Sequence, residues 1–488
     1  MQGCQFLNNS PLNSHEEQIV TQPRITESGP TMVTHSDMRR TSIWDGSHIF
    51  ILLAFLGFIL VGTILLLLPI SNNCIIETVT CSSNNFTPFR IAILTATSAA
   101  TVTGHTAVST PEYWSTFGHI TIFTMMTVGG LGFMTAATFI LIIVGQRSTL
   151  PQRLLMRDMG FDRMQGLKRL ALNIIAVVML FYVLGFLLIW VFTSNLSTVQ
   201  TTHGLWHSVF LSVSAFNNAG FTINPNGANL IAQSYGLMTT VAILIILGSF
   251  GWASMVDIFR NRHFNRLTLN TKMIISTNLA LWSLGAIVFF GLEYQNENTI
   301  GTVNLLDQLF ASLFHTVSGR TAGFTTVNFQ EATDFTKIIY SILMLIGGSP
   351  GSVAGGIKTT TLAVLAAAVI SSLKGRSQAE AFGREIAHFQ VMRALTVTIM
   401  SLIIVLVVAP TITFLHPNLP FIDVMFDVFS AYATTGSSTG IVPHLDNFGT
   451  TLFSLTMILG RLVPLYLAFS LVTERTSYRY VRERVTLG

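Results

Sequence analysis

ATVTGHT at residues 100–106, FNNAGFT at 216–222, GRTAGFT at 319–325 and YATTGSS at 432–438 interrupt oily sequence with one device, a short polar turn centred on glycine. The central glycines, Gly104, Gly220, Gly323 and Gly436, stand 116, 103 and 113 residues apart. A near-constant period is an internal repeat, and repeats dictate architecture before any single motif does. Four like turns with like flanks are what one chain needs to surround a single axis with main-chain carbonyls, and an ion pore is the obvious use.

Working outward, the flanks are membrane sequence. Half of the 488 residues are apolar and 10% are charged, with a mean hydropathy of +0.60, which excludes an ordinary soluble protein. The runs 49–69, 170–192, 273–290, 394–415 and 450–471 are each about 20 residues, enough at about 1.5 Å per residue to cross about 30 Å of hydrocarbon. Twenty-one of the 26 Lys and Arg fall in five clusters: Arg24 to Arg40, Arg147–Arg169, Arg260–Lys272, Lys374–Arg393 and Arg475–Arg484. The segments 194–235 and 416–450 carry none. Cytoplasmic loops collect basic residues, so both termini and the three loops between repeats are expected inside and every glycine turn toward the outside.

The predicted unit is clearest in the second repeat: a span at 170–192, a short amphipathic stretch 203–216, the turn 217–222, and a second span at about 236–258. A stretch of about 14 residues is too short to cross and fits a re-entrant helix; non-helical backbone at that depth must be buried or line water. The expected fold is therefore all-α and integral to the membrane, four pseudo-symmetric span–pore-helix–span repeats around one pore, with eight spans. The repeats cover 46–146, 168–260, 272–373 and 391–474; a polar N-terminus, 1–45, and a tail, 475–488, lie outside them. The N-terminal stretch has no signal-peptide layout and too little apolar sequence to fold alone. Cys74 and Cys81 share the first outer loop, as a disulfide or as two free thiols.

Glycine at the same place in each turn has a physical reason, because successive carbonyls pointing one way need dihedrals that a Cβ penalises. The expected ion-binding residues are Val102, Thr103 and Gly104, then Asn218, Ala219 and Gly220, then Thr321, Ala322 and Gly323, then Thr434, Thr435 and Gly436. Such a ring of oxygens replaces the hydration shell of a monovalent cation without an acidic side chain.

The third repeat departs from the others. Its second span starts near Phe335 and by Gly347 runs into GGSPGSVAGGIKTTT, residues 347–361, before an Ala-rich helix resumes. Proline and glycine break a helix, and a broken helix at membrane depth faces a cavity, here just below the turns. The segment is expected to be a movable plug built from Gly347, Gly348, Ser349, Pro350, Gly351, Ser352, Gly355 and Gly356, with Lys358 and Thr359 where the helix resumes. It echoes a phosphate-binding loop, but Ile357 stands where that loop requires glycine before lysine, so no nucleotide is expected on this chain. Arg461, in the middle of the last span, must face the interior. It either raises the barrier to cations or holds carbonyls of the plug. Glu112, Asp307, Asp423 and Asp427 sit near the outer mouth with little basic company, as a cation-concentrating field or, for Asp423, as a helix-terminus charge.

The stretches SAFNNAGFT at 214–222, RTAGFTTV at 320–327, GGSPGSVAGGIKTTT at 347–361, YWSTFGHITIFTMMTVGGLGFMT at 113–135 and ILGRLVPLYLA at 458–468 resemble the Trk/Ktr/HKT superfamily of potassium transporters. Within it the chain is most similar to the membrane subunit of a bacterial Ktr-type system. The resemblance implies K+ uptake across the plasma membrane through a glycine filter, glycine at all four positions accompanying potassium permeation. It further implies an intramembrane gate and a carboxylate at Asp427 bracing the filter. A homodimer seated on a ring of cytosolic nucleotide-binding subunits is implied as well, with 147–169 and 473–488 as contact surfaces. A Na+- or H+-coupled symporter, or a Na+-permeable variant of the same fold, is the alternative, with Na+ then a coupling or activating ion. His105, Gly319 and Val463 depart from the family pattern. An inverted-repeat transporter is disfavoured because all four repeats share one charge polarity. An enzyme is disfavoured because the spans hold no metal-binding His-Glu cluster, nucleophile elbow or paired acids.

Overall fold

The computed structural model describes residues 46–73, 86–145, 163–194, 204–225 and 227–470. The polar N-terminus, Cys74 and Cys81, most of the 147–169 loop and the tail from 471 lie outside the described residues.

The described chain is mostly helical. In order it runs α1 (Gly46–Leu67), α2 (Phe89–Thr101), α3 (Thr110–Tyr113), α4 (Thr116–Gly145), α5 (Arg163–Ser194), α6 (Gly204–Asn217), α7 (Asn229–Ala232), α8 (Tyr235–Ser249) and α9 (Trp252–Asn261). There follow α10 (Leu269–Glu293), α11 (Leu305–Ser318), α12 (Asp334–Leu345), α13 (Thr359–Leu373), α14 (His388–Leu415), α15 (Phe421–Ala433) and α16 (Asn447–Ser470).

Long and short helices have opposite surfaces. The long ones turn apolar side chains outward: Leu53 and Leu60 are 60% exposed, Ile287 68% and Leu406 65%. The short helices α2, α6 and α15 are buried almost all round, with Thr95, Thr97, Ser98, Ser208, Ser212 and Ser214 at 0% exposure. Apolar residues outside and hydroxyls inside suit a solvent of hydrocarbon, in which every polar group must be satisfied internally. Helix-borne threonines comply by donating to the carbonyl four residues back, as Thr121, Thr240, Thr396 and Thr411 do. Among the described residues three helices are long and apolar enough to cross a membrane, within α5, α10 and α14, and a fourth if α8 and α9 count as one.

Two features depart from the expected helices. The run read as a span at 236–258 is broken: α8 and α9 are bent by 100° at a break around Gly251, whose φ is +76°. The chain is also not wholly helical. Ala379–Ala381 (β1) pairs antiparallel with Arg384–Ile386 (β2), in a hairpin whose corner is Phe382 and Gly383, both at positive φ. Continuous hydropathy registers neither a bend nor a three-residue strand.

Candidate functional site

Four short helices each end at one glycine turn, the buried α2 at Val102–Gly104, α6 at Asn218–Gly220 and α15 at Thr434–Gly436, and the partly exposed α11 at Thr321–Gly323. Three exits share one geometry. Val102, Asn218 and Thr434 adopt left-handed φ of 57°, 57° and 52°. Each donates its N–H to the carbonyl three residues back, and the next residue donates to the carbonyl five back: Thr103 to Ser98, Ala219 to Ser214 and Thr435 to Ser430, each at 2.8 Å. This is a helix C-cap used to launch a turn. The third exit differs. Thr321 has φ +120°, and Ala322 and Gly323 both return to the Ser318 carbonyl, at 2.8 and 3.2 Å.

The four glycines close a ring. All have positive φ: +96° at Gly104, +68° at Gly220, +69° at Gly323 and +92° at Gly436. A Cβ on Gly104 would overlap the Ala219 carbonyl oxygen, one on Gly220 that of Ala322, one on Gly323 that of Thr435, and one on Gly436 that of Thr103. Each turn thus seats its glycine on the carbonyl of the next, and the fourth seats on the first. Both conformation and space exclude a side chain here. All twelve expected ion-binding residues lie in these turns, and two side-chain bonds cross between them. Asn218 Nδ2 donates to Thr321 Oγ1 at 3.1 Å, and His105 Nε2 meets Ser430 Oγ at 3.0 Å. The His105 ring is 1% exposed and sits edge-on to Phe453. Asn218 Oδ1, Thr434 Oγ1, Thr435 Oγ1 and Ser437 Oγ are buried oxygens with no hydrogen-bond partner among the described residues.

Four serines were missed in the sequence. Ser98 and Ser430 accept the N–H of Gly104 and Gly436 at 3.0 Å; Ser214 and Ser318 donate to the carbonyls of Phe221 and Phe324 at 2.7 Å. They precede their glycines by six, six and six residues, but by five in the third turn. That spacing was the available signal.

The glycine-rich segment sits directly against two of the turns. Gly347 N donates to Ile357 O at 2.8 Å and Ile357 N to Leu345 O at 3.0 Å, pinching the loop shut at its neck. Within it Ser349, Ser352, Val353 and Ala354 are buried. A Cβ on Gly355 would strike Thr434 Oγ1, and one on Gly347 would overlap the Gly355 carbonyl and come within 3.3 Å of the Thr321 methyl. The far side rests on the α8–α9 break: Ser349 N donates to Ser249 O at 2.9 Å, and a Cβ on Gly251 would overlap the Pro350 carbonyl.

Three of the five basic residues outside the sequence clusters hold this loop. Arg461, 1% exposed, donates to the Val353 carbonyl, one of the carbonyls of the glycine-rich segment. Lys358 Nζ donates to Ala354 O at 2.5 Å. Arg320, which the sequence did not single out, donates from Nη2 to Gly347 O at 2.7 Å, from Nε to Ile346 O at 3.3 Å and from Nη1 to Asn278 Oδ1 at 2.5 Å.

The outer acids have more company than the sequence suggested. Asp423 stands in the first turn of α15, as one of its two readings expected, and is also paired at 2.8 Å with Lys337 on α12. Asp427 is buried and accepts from Ser438 Oγ at 2.7 Å and Thr439 N at 2.8 Å, bracing the chain just past the fourth turn. Asp307 accepts from the Tyr235 hydroxyl. No group of three His, Cys, Asp or Glu positioned to hold a metal occurs among the described residues.

Known proteins share this arrangement of sequence. The family model described as TrkH, cation transport protein, matches residues 61–479. The chain is 33% identical over 442 residues to the Ktr system potassium uptake protein B of Bacillus subtilis (strain 168), covering 89% of this chain and 95% of that protein. It is 32% identical to the protein of the same name from Vibrio alginolyticus, covering 93% and 97%, and 32% identical to the potassium/sodium uptake protein NtpJ of Enterococcus hirae, covering 89% and 95%. Among solved structures, the potassium transporter TrkH from Vibrio parahaemolyticus is similar in fold with a TM-score of 0.66 at 15% identity, covering 86% of this chain and 84% of its own.

Proposed function

This chain belongs to the TrkH/Ktr family of cation transport proteins, and from that membership we propose that its four glycine turns form a K+ selectivity filter above a movable loop. The family consists of membrane ion transporters rather than enzymes, and two of the relatives above are named for potassium uptake and the third for potassium and sodium. In our reading the chain is four repeats of span, pore helix and span, eight spans in all, with both termini in the cytoplasm.

The observation that carries this is the closed succession of glycine against neighbouring carbonyl, from Gly104 round to Gly436. It brings main-chain carbonyls of all four turns together, the material from which a dehydrated monovalent cation is coordinated. The short helices add a second contribution, since each presents its C-terminal end, the negative pole of its dipole, to the same place. Selectivity then rests on carbonyl spacing, while the unpartnered oxygens of Asn218, Thr434, Thr435 and Ser437 help solvate the ion at the ring. Below, the loop from Gly347 to Thr359 blocks the path, held by Arg461, Lys358 and Arg320. Opening breaks some of these contacts.

Growth of a potassium-uptake-deficient strain at limiting K+ tests the filter, with Gly104, Gly220, Gly323 or Gly436 changed to serine. Wild type rescues and each variant rescues poorly or admits Na+; full rescue at high K+/Na+ preference by all four would sink the filter. Shortening the loop between Ser349 and Gly355, or Arg461→Gln, is expected to raise K+ flux in liposomes; unchanged flux rules out the gate. The second reading, coupling to Na+ or H+, draws on the relative named for potassium and sodium uptake. Imposed Na+ or pH gradients that drive K+ accumulation in liposomes would favour it.

A further inference from the structure

The third turn is the odd one, and its oddity coincides with a tether. It is one residue shorter from serine to glycine than the other three, and Thr321 has φ +120° where its counterparts lie between 52° and 57°. A non-glycine residue at such a φ is strained and persists only where its surroundings over-determine it. The residue immediately before it is Arg320, 4% exposed. Its guanidinium places three donors on three fixed acceptors: Asn278 Oδ1 on α10 at 2.5 Å, Ile346 O at 3.3 Å and Gly347 O at 2.7 Å. Ile346 and Gly347 are the neck of the loop, where its two ends bridge. Two further contacts join the same pieces. The Tyr340 hydroxyl, on the helix that feeds the loop, donates to His315 O on α11 at 2.9 Å, and the Thr321 methyl lies against Gly347.

We propose that Arg320 is a positioning residue that makes the third glycine turn and the neck of the glycine-rich loop move as one, so that displacement of the loop changes ion preference at the ring as well as access to it. The proposal rests on the filter-and-gate reading. A guanidinium suits the task because its planar fork fixes the direction of each donor, which a flexible ammonium does not. With the clamp intact, Thr321 is held at its strained φ and its carbonyl geometry is set. When the neck shifts, the fork rotates with it, and the adjacent turn relaxes. The other turns have no equivalent arginine: Thr101, Asn217 and Ala433 precede Val102, Asn218 and Thr434.

The test is K+ and Na+ flux in liposomes for the full chain, Arg320→Gln, Arg320→Lys, a loop shortened by residues 349–355, and the shortened loop carrying Arg320→Gln. The expected result is a K+/Na+ flux ratio shifted by about five-fold or more by Arg320→Gln, less by Arg320→Lys, and by under about two-fold when the loop is already shortened. Equal shifts with and without the loop, or no shift in the full chain, overturn the proposal. If Arg320→Gln is not recovered as a monodisperse protein, Asn278→Ala takes its place. It loosens the fork from outside both turn and loop, and an unchanged ratio there overturns the proposal equally. Gly323→Ser and loop shortening alone serve as controls. Should neither move ratio or flux, the underlying reading falls with this one; should they respond while the Arg320 effects are additive, only the coupling falls.

Discussion

Gly323 and Gly436 carry two constraints at once, a positive φ and a neighbouring carbonyl where a Cβ would stand. Alanine at either position meets conformational strain of about 1–2 kcal/mol and a main-chain overlap that no side-chain rotation relieves. Gly323→Ala and Gly436→Ala should each lower K+ uptake by about ten-fold or more, measured as initial uptake rate at matched protein level. Ser98→Ala removes only the acceptor for the Gly104 N–H, worth about 1 kcal/mol, so uptake should fall by about five-fold or less. The difference explains what the sequence disclosed. Glycine is read directly because a positive φ with a carbonyl packed where a Cβ would stand leaves room for no other residue, whereas a serine near the end of an apolar helix looks like any hydroxyl satisfied within its helix. Arg320 was passed over for a related reason: a charge beside a turn is ordinary until Asn278, 42 residues earlier, and Gly347, 27 later, are seen to meet it.

Among elements, α12 and α15 are joined by Lys337 and Asp423, whose side chains are 6% and 12% exposed. Removing one partner strands a buried charge, so Lys337→Met should cost about 3–5 kcal/mol, read as a fall in thermal midpoint in detergent. Adding Asp423→Asn should recover much of it. The break between α8 and α9 makes a different prediction. Gly251 at φ +76° rests on the Pro350 carbonyl, so Gly251→Ala should unseat the loop and raise K+ flux several-fold. Neither feature was legible from hydropathy. The run 236–258 is predominantly apolar, and it bends where Gly251 meets a loop about a hundred residues away in sequence. The expected break at 347–361 was readable because proline and five glycines lie within the helix itself. Local chemistry shows in a sequence; contact made at long range does not.

At the scale of the molecule, apolar side chains face outward on the long helices while the hydroxyls of the buried short helices and the Lys337–Asp423 pair lie inside, the arrangement that lipid imposes. The basic clusters set the orientation we propose, so tags at either terminus should be cleaved only from the cytoplasmic side of sealed vesicles. We also propose a homodimer on a separate cytosolic nucleotide-binding ring. Truncation after residue 472 should then abolish recovery of that soluble subunit with the membrane chain while leaving K+ flux in liposomes. The period of the four turns made the ring legible from sequence, but not its order of contact, because which carbonyl meets which glycine depends on how the helices pack.

That the ring is drawn from one continuous polypeptide has a consequence of its own. In a pore assembled from identical subunits, any substitution appears at every quarter of the circle, so a handle fitted to one quarter is unattainable. Here His105 occurs at the first turn and Arg320 at the third. If the ring is the filter we propose, a fused chain is free to let three quarters hold the ion while the remaining one listens to the door beneath it.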